Sequence, residues 1–405
     1  MRHCLFFLGG FFCCLWGKLS YAQAMIDVDT NISDITDNEK LVCEYINEGI
    51  FCTHSDGSAF TGVAKKEYDS GVLMLIIQLA EGKQNGEYKV YSEKAKLLTE
   101  GFYRKGKKNG TFKTYYPNGK IQSEEKYISG ELDGQKRVYY ESGQIQTEGN
   151  FANGVLEGTL KAYYPNGNLS LECDFHNNMK NGHYKIYAEN GILKEHNQWK
   201  NNQKDGLEII YDKNGYKKTE QNWKNNLLNG EAVEFYPNGK IKNITTWADG
   251  IKVGPKKSYY ENGKIHIAGM MENNNWQGIV KVFDQQGNLV EESPYQNGKR
   301  HGSKREYYPN GMLRLSANFE NDVQNGITTA YYEDGTVKSE TTFVNNKMEG
   351  ITRLYYQNGT LATESQWFNG QKNGITKQYT SDGKLILEEY FKNGISQYKK
   401  QNNFQ

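Results

Sequence analysis

Proline and apolar residues are both scarce in this chain of 405 residues. There are 6 prolines, and apolar residues make up 37% of the total, against about 45–50%, glycine included, in an average soluble protein. That shortage argues against the two or three conventionally packed domains that the length alone would suggest. An excess of one charge is missing too. The net charge is +1, so the bulk electrostatics calls for neither nucleic acid nor an anionic membrane. Beyond the first 24 residues the longest apolar run is Val72 to Leu79, too short to span a bilayer as a helix. There is no Gly-x-Ser-x-Gly elbow, phosphate loop or dinucleotide fingerprint, the signatures of several large enzyme classes. Glycine, with 43 copies, and tyrosine, with 30, are what the chain has in abundance. At 13% aromatics it is neither collagen-like nor disordered, and the mixture suits an all-β protein with many turns.

The first 24 residues read as a secretory signal peptide. Arg2 and His3 open it, Cys4 to Trp16 is almost wholly apolar, and Ala22-Gln23-Ala24 supplies a small-x-small cleavage site. The protein is therefore expected outside the cytoplasm: periplasmic, on the outer surface, or secreted. Cys43, Cys52 and Cys173 remain after cleavage. Cys43 and Cys52 are candidates for a local disulfide, and no Cys/His pair follows them at a metal-ligand spacing. Cys173 reads as a small half-buried strand residue. Residues 25–57 are expected to form an acidic lead, carrying Asp27, Asp29, Asp34 and Asp37, and then a small N-terminal cap.

An internal repeat dominates the rest. From Gly119 in Tyr115-Tyr116-Pro117-Asn118-Gly119, steps of 24 land on Gly143, Gly167, Gly191 and onward to Gly383; a step back meets Ala95, the one failure, and then Gly71. A second column, Gly62 through Gly374, is glycine at all fourteen positions, and a third, from Gly82 to Gly394, holds only Gly, Asn or Asp. The unit is a β-hairpin. Strand one is expected over Thr111 to Tyr116, a Pro-Asn-Gly loop follows with Gly119 left-handed, and strand two runs from Lys120 to Tyr127. A second left-handed turn falls at Ser129-Gly130. One hairpin cannot bury its own apolar face, so successive hairpins must stack. The expected fold is all-β: an elongated solenoid of fourteen 24-residue hairpin repeats over 58–394, closed by a polar C-terminal tail at 395–405.

Two aromatic columns, one through Tyr115, Tyr139 and Tyr163 and the other through Tyr127, Phe151 and Trp199, are expected to form the core together with the aliphatic column of Ile121. Lys113, Arg137 and Lys161 form a basic column that faces an acidic one at Glu124, Glu148 and Glu172, a solvated ladder of cross-strand pairs. The tyrosines that follow the core tyrosine by one residue, Tyr116, Tyr140, Tyr164, Tyr236, Tyr260, Tyr308, Tyr332 and Tyr356, are expected to point outward. Tyr308, Tyr332 and Tyr356 form an unbroken set and are the candidate partner-binding residues. The histidines are dispersed, and His176 with His183 lacks the companion ligands of a metal site. Asp334-Gly335 and Asp382-Gly383 read as turns, since the alternating acidic ligands of a calcium loop are missing. No catalytic, cofactor-binding or metal-binding residue is assigned.

The recurring Tyr-Tyr-Pro-Asn-Gly-Lys, followed by an aliphatic residue, a Glu, an aromatic residue and Asn-Gly, resembles the MORN-repeat variant of bacterial proteins, found in the family labelled YwqK-type antitoxins. The resemblance covers about residues 58–394. It implies a non-enzymatic hairpin solenoid that binds protein or attaches to membranes or phospholipids, with no cofactor. The signal peptide departs from a cytosolic antitoxin and leaves an immunity role against an exported toxin. The expected function is thus an exported interaction scaffold, monomeric, whose partner is a protein or envelope component and not nucleic acid. Membrane contact is the alternative.

Overall fold

The hairpin pattern is present from the first glycine column to the last. A computed structural model describes residues 36–401 apart from 38, 47 and 48; the expected signal peptide and acidic lead up to residue 35 lie outside the described residues. Every regular element among the described residues is a β-strand. In the repeat at 110–130, strand Gly110–Tyr115 pairs antiparallel with Ile121–Ile128, placing Phe112 opposite Glu125 and Lys113 opposite Glu124. A register shift between Thr114 and Tyr115 bends the strand into the loop. Tyr116 N–H donates to the Lys120 carbonyl at 2.8 Å, and Gly119, at φ 83°, donates back to Tyr116. Ala95 adopts this left-handed conformation too, at φ 57°, where a Cβ is crowded.

The second turn is tighter than the pattern suggested. Ser129 and Gly130 are both left-handed, at φ 54° and 93°, as a two-residue turn matched to strand twist requires. Gly130 N–H then reaches back to the Lys108 carbonyl at 2.8 Å, tying one hairpin to its neighbour. Where asparagine or aspartate replaces this glycine, the side chain adds a second tie. Asn202 Oδ1 accepts from Lys180 N–H at 2.8 Å, and Asn346 Oδ1 from Gln324 N–H at 2.7 Å. That bond offsets the cost of the left-handed backbone in a residue with a Cβ.

The chain divides into two compact units. The first comprises the described residues up to Met179 with Glu189–Gly191, and the second Lys180–Ala188 with Ile192–Gln401. The first unit begins with the cap. Hairpin strands Val42–Ile46 and Gly49–Thr53 are closed by the disulfide Cys43–Cys52, whose residues lie directly opposite each other. Leu41, Ile50, Cys52 and Phe60 pack with Ala64, Leu75, Ile77 and Leu79 into one buried cluster. Strand Thr36–Asp37 pairs with Gly62–Glu67, covering the edge of the first repeat. Cys173, expected half-buried, is fully buried. The second unit ends differently: residues expected as a polar tail form strand Ile395–Gln401 on the last hairpin, exposed along its whole length.

The core follows one strand parity. Fully buried side chains recur at the positions of Phe112, Leu171, Cys173 and Met271, the face that holds the column of Tyr127 and the small residues beside it. The other face carries the charge ladder, with Arg137 on Glu148 at 3.4 Å, Lys281 on Glu292 at 3.2 Å and Arg353 on Glu364 at 3.0 Å. The column of Tyr115 belongs to this ladder and not to the core. Tyr139 Oη donates to Glu124 at 2.7 Å, Tyr163 to Glu148 at 2.8 Å, and Tyr307 to Glu292 at 2.8 Å. The correction has a simple cause: Lys113 and Tyr115 are two residues apart on one strand and so share a face. Partial burial, with the Glu148 carboxylate beside it, pushes the Tyr163 phenol up to about 12.

Candidate functional site

The clearest break in the repeat pattern lies in the second unit. Strand Gly206–Tyr211 pairs with Lys217–Lys224, and Glu208 occupies the core position held elsewhere by Phe112, Leu160 and Val280. Glu208 is 2% exposed. Its direct cross-strand partner is Gln221, and Asn197, equally buried, stands in the preceding strand Leu193–Lys200. Lys204 Nζ and Asn197 Nδ2 approach one carboxylate oxygen, the latter at 3.3 Å. Gln221 Nε2 and Trp223 Nε1 donate to the other, Trp223 at 3.0 Å. Lys204 also sits 5.0 Å from the centre of the Trp223 ring and 3.8 Å from Glu195.

Burial alone would raise the Glu208 carboxyl, but the bonds from Lys204, Gln221 and Trp223 and the Lys204 charge outweigh it and hold the group below the usual carboxylate range. Two donors on each oxygen saturate a carboxylate. The arrangement therefore fixes a shape and offers no lone pair to a reacting proton. Asn197 Oδ1 is the one member left without a hydrogen-bond partner. Beside the cluster lies an open depression of about 580 Å³, lined by Lys200, Gln203, Asp205, Trp223 and Asn229 among others. Among the described residues no group of three or more His, Cys, Asp or Glu could hold a metal ion.

The stacking of cations on the aromatic core was not legible as a column. Lys108 lies over Phe112 and Tyr127 at 4.8 Å from each ring centre, Lys180 over Trp199 at 4.4 Å, Lys252 over Trp247 at 5.2 Å and Arg300 over Phe319 at 4.3 Å. All four cations occupy one repeat position, which leucine fills in other repeats, as at Leu132 and Leu156. Leucine, methionine, glutamine and tryptophan also stand at this position, as at Met348, Gln324 and Trp276, so it shows no single character.

The candidate tyrosines are placed differently from the expectation. Tyr308, Tyr332 and Tyr356 are half-buried. Their hydroxyls donate to the carbonyls of Tyr331, Tyr355 and Tyr379, each at 2.8 Å and each 23 residues ahead. Tyr116, Tyr140, Tyr236 and Tyr260 do the same. The column is a set of braces from each hairpin loop to the next, not a free outward stripe. Tyr307, Tyr331 and Tyr355 are half-buried as well, so no buried row lies beneath them. His176 and His183 have separate partners, Glu157 at 3.1 Å and His196 at 3.0 Å. Asp334 accepts from Thr336 Oγ1 at 2.6 Å and Thr336 N–H at 2.9 Å; these bonds and one from Gln357 pull its carboxyl down to about 2, as a turn residue.

An exposed apolar line lies on the ladder face. Ile279, Ile327, Ile351 and Ile375 share one repeat position on the ladder face and are 54%, 56%, 39% and 38% exposed. Ile351 pairs with Gln366, and Ile375 with Tyr390, itself exposed. Two residues along the same strand comes the row of Arg353 and Glu364. Ile327, Ile351 and Ile375 follow at 24-residue spacing, and Ile279 lies 48 residues before Ile327 with Ser303 at the position between. Their parity with the charge column marks them as outward.

A family model described as "MORN repeat variant" matches eleven segments: residues 108–129, 132–153, 156–177, 180–201, 228–249, 252–273, 276–297, 300–321, 324–345, 348–369 and 372–393. The segment it passes over between matches, 202–227, is the one that carries Glu208. No curated protein matches. Among solved structures, the crystal structure of TcdB2-TccC3 is similar over 88% of this chain at 12% identity with a TM-score of 0.17, and that of TcdB2-TccC3-Cdc42 over 86% at 12% identity with a TM-score of 0.14. The chain spans about a quarter of the length of each, 25% and 22%.

Proposed function

The chain belongs to the MORN repeat variant family, and from that premise we propose that it is an exported, non-enzymatic scaffold that holds a protein partner on its ladder face. Repeats of this family support a scaffold for protein or membrane interaction. The observation that favours protein is the line Ile279, Ile327, Ile351 and Ile375, exposed at one repeat position beside a row of satisfied ion pairs. Ile327, Ile351 and Ile375 are consecutive, with Ile279 beyond Ser303, and exposed large apolar side chains rimmed by polar groups suit a protein contact. A membrane surface would be met by unpaired basic residues. Here Lys281 and Arg353 are each bonded to a ladder glutamate, and Lys180, Lys252 and Arg300 lie over rings.

Tyr308, Tyr332 and Tyr356 enter this reading through their ring faces, their hydroxyls being taken by carbonyls. The export half of the proposal rests on residues 1–24, and an immunity role against an exported toxin is its narrower form. Photo-crosslinking from position 351 in the native envelope tests the reading. A protein adduct from Ile351, lost when Ile327 and Ile375 become glutamate, supports it. Adducts to lipid alone would favour the membrane alternative.

A further inference from the structure

We propose that His183 and His196 form a two-imidazole site for a divalent transition-metal ion of the copper(II) type. Both belong to the second unit, on strands Met179–Tyr187 and Leu193–Lys200. The register sets His183 opposite Gln198 and Lys185 opposite His196, so the two imidazoles are diagonal neighbours on the ladder face, at positions one step apart. His196 stands where the ladder carries glutamate in Glu124, Glu148 and Glu220. The rings are 5.1 Å apart and tilted by 42°, His183 exposed and His196 half-buried, and His183 Nδ1 lies 3.0 Å from His196 Nε2.

That distance is the central observation. Two imidazole nitrogens bound at about 2.0–2.1 Å to one ion are about 2.9 Å apart at a right angle and about 3.3 Å apart at the tetrahedral angle. The pair is therefore spaced for adjacent positions of a tetragonal field, which copper(II) and nickel(II) favour, and copper(II) binds such donors more tightly than other first-row divalent ions. The β-register holds the two residues as neighbours, and binding requires both rings to turn so that lone pairs now aligned along the hydrogen bond converge on one ion. Without metal, one ring donates a proton to the other across the 3.0 Å contact. To bind, both facing nitrogens must present lone pairs, so that proton moves to the far nitrogen: His183 carries it on Nε2 and His196 on Nδ1. No electron transfer is involved. Among the described residues no third His, Cys, Asp or Glu completes a cluster, so the remaining positions fall to water and the ion exchanges readily. The site lies on the opposite strand face from Glu208 and does not depend on the scaffold reading.

The test uses the full mature chain, stripped with chelator, titrated with copper(II) and followed by calorimetry and electron paramagnetic resonance. The expected result is one tight equivalent whose spectrum shows a tetragonal ion with two nitrogen couplings from imidazole. H183Q and H196Q should each weaken that equivalent about 100-fold, because the second ligand binds at the high effective concentration of an intramolecular donor. His183 is exposed and His196 half-buried, and matching circular dichroism would confirm that the variants fold. The proposal is overturned if the tight equivalent survives in either variant, if its spectrum reports one imidazole nitrogen, or if the wild type binds no more tightly than H183Q/H196Q.

Discussion

Replacing Lys204 by methionine would leave the Glu208 carboxylate buried with no cation bonded to it. The Glu208 side chain is 3% exposed and that of Lys204 25%. Breaking one side of a buried pair costs about 3–5 kcal/mol; since Lys204 is partly solvated, about 3 kcal/mol is expected. Glu208→Gln should cost less, about 1–2 kcal/mol, because the neutral side chain retains some of the hydrogen bonds and Lys204 can reach water. The discriminating variant is K204M/E208Q, which has neither charge. It should be more stable than K204M alone, by a coupling of roughly 2 kcal/mol. A repeat array need not unfold in one step, so hydrogen exchange in Gly206–Tyr211 and Lys217–Lys224 is the assay, with urea melts beside it. The pH dependence adds a check on sign. A carboxyl depressed in the folded state contributes its stability above its unfolded value, about 4.3, and loses it as pH falls through the lower folded value. In K204M that acid-side loss should shrink. A K204M cost under about 1 kcal/mol, or a double variant less stable than K204M, would refute the buried-pair account.

Three further outcomes follow from the fold. Replacing Tyr308, Tyr332 and Tyr356 together by phenylalanine should cost about 1 kcal/mol each for the lost bonds to the carbonyls ahead; an unchanged melting temperature would show that the braces contribute nothing. Ala95→Gly should stabilise by about 0.5–1 kcal/mol, because relief of about 1–2 kcal/mol of left-handed crowding exceeds the added backbone entropy; chemical denaturation with loss of stability would contradict this. Cys43→Ser/Cys52→Ser should cost about 2.7 kcal/mol from its short loop, read as faster exchange at Ala64, Leu75 and Ile77 and not in the second unit.

The period, the hairpin and the left-handed turns were legible because glycine columns report backbone conformation directly. The face of each column was less so. Aromatic character alone suggested that Tyr115 is core, although its parity with Lys113 puts it on the ladder, where Glu100 accepts its hydroxyl at 2.5 Å. Tyr116 then looked outward by alternation. Tyr116 lies just past the end of the strand, in the loop, and its hydroxyl reaches the Tyr139 carbonyl instead. Glu208 was hidden for a different reason. It is an ordinary strand glutamate until its column is compared with Phe112 and Leu160, and its partners come from three strands. Cys43 and Cys52 were candidates for a disulfide, but whether they pair, and where the pair sits under the first repeat, required the cap to be seen folded.

The scaffold reading is tested most directly by the isoleucine line. The chain from residue 25 onward and its I327E/I351E/I375E variant would each be presented to the native envelope, and bound protein quantified, with E364Q as a control on the ladder. The account predicts that the variant keeps its melting temperature within about 1 kcal/mol of stability and loses its protein partner, while E364Q retains it. An isoleucine variant that remains folded and binds the same partner as tightly as the parent chain would contradict the account.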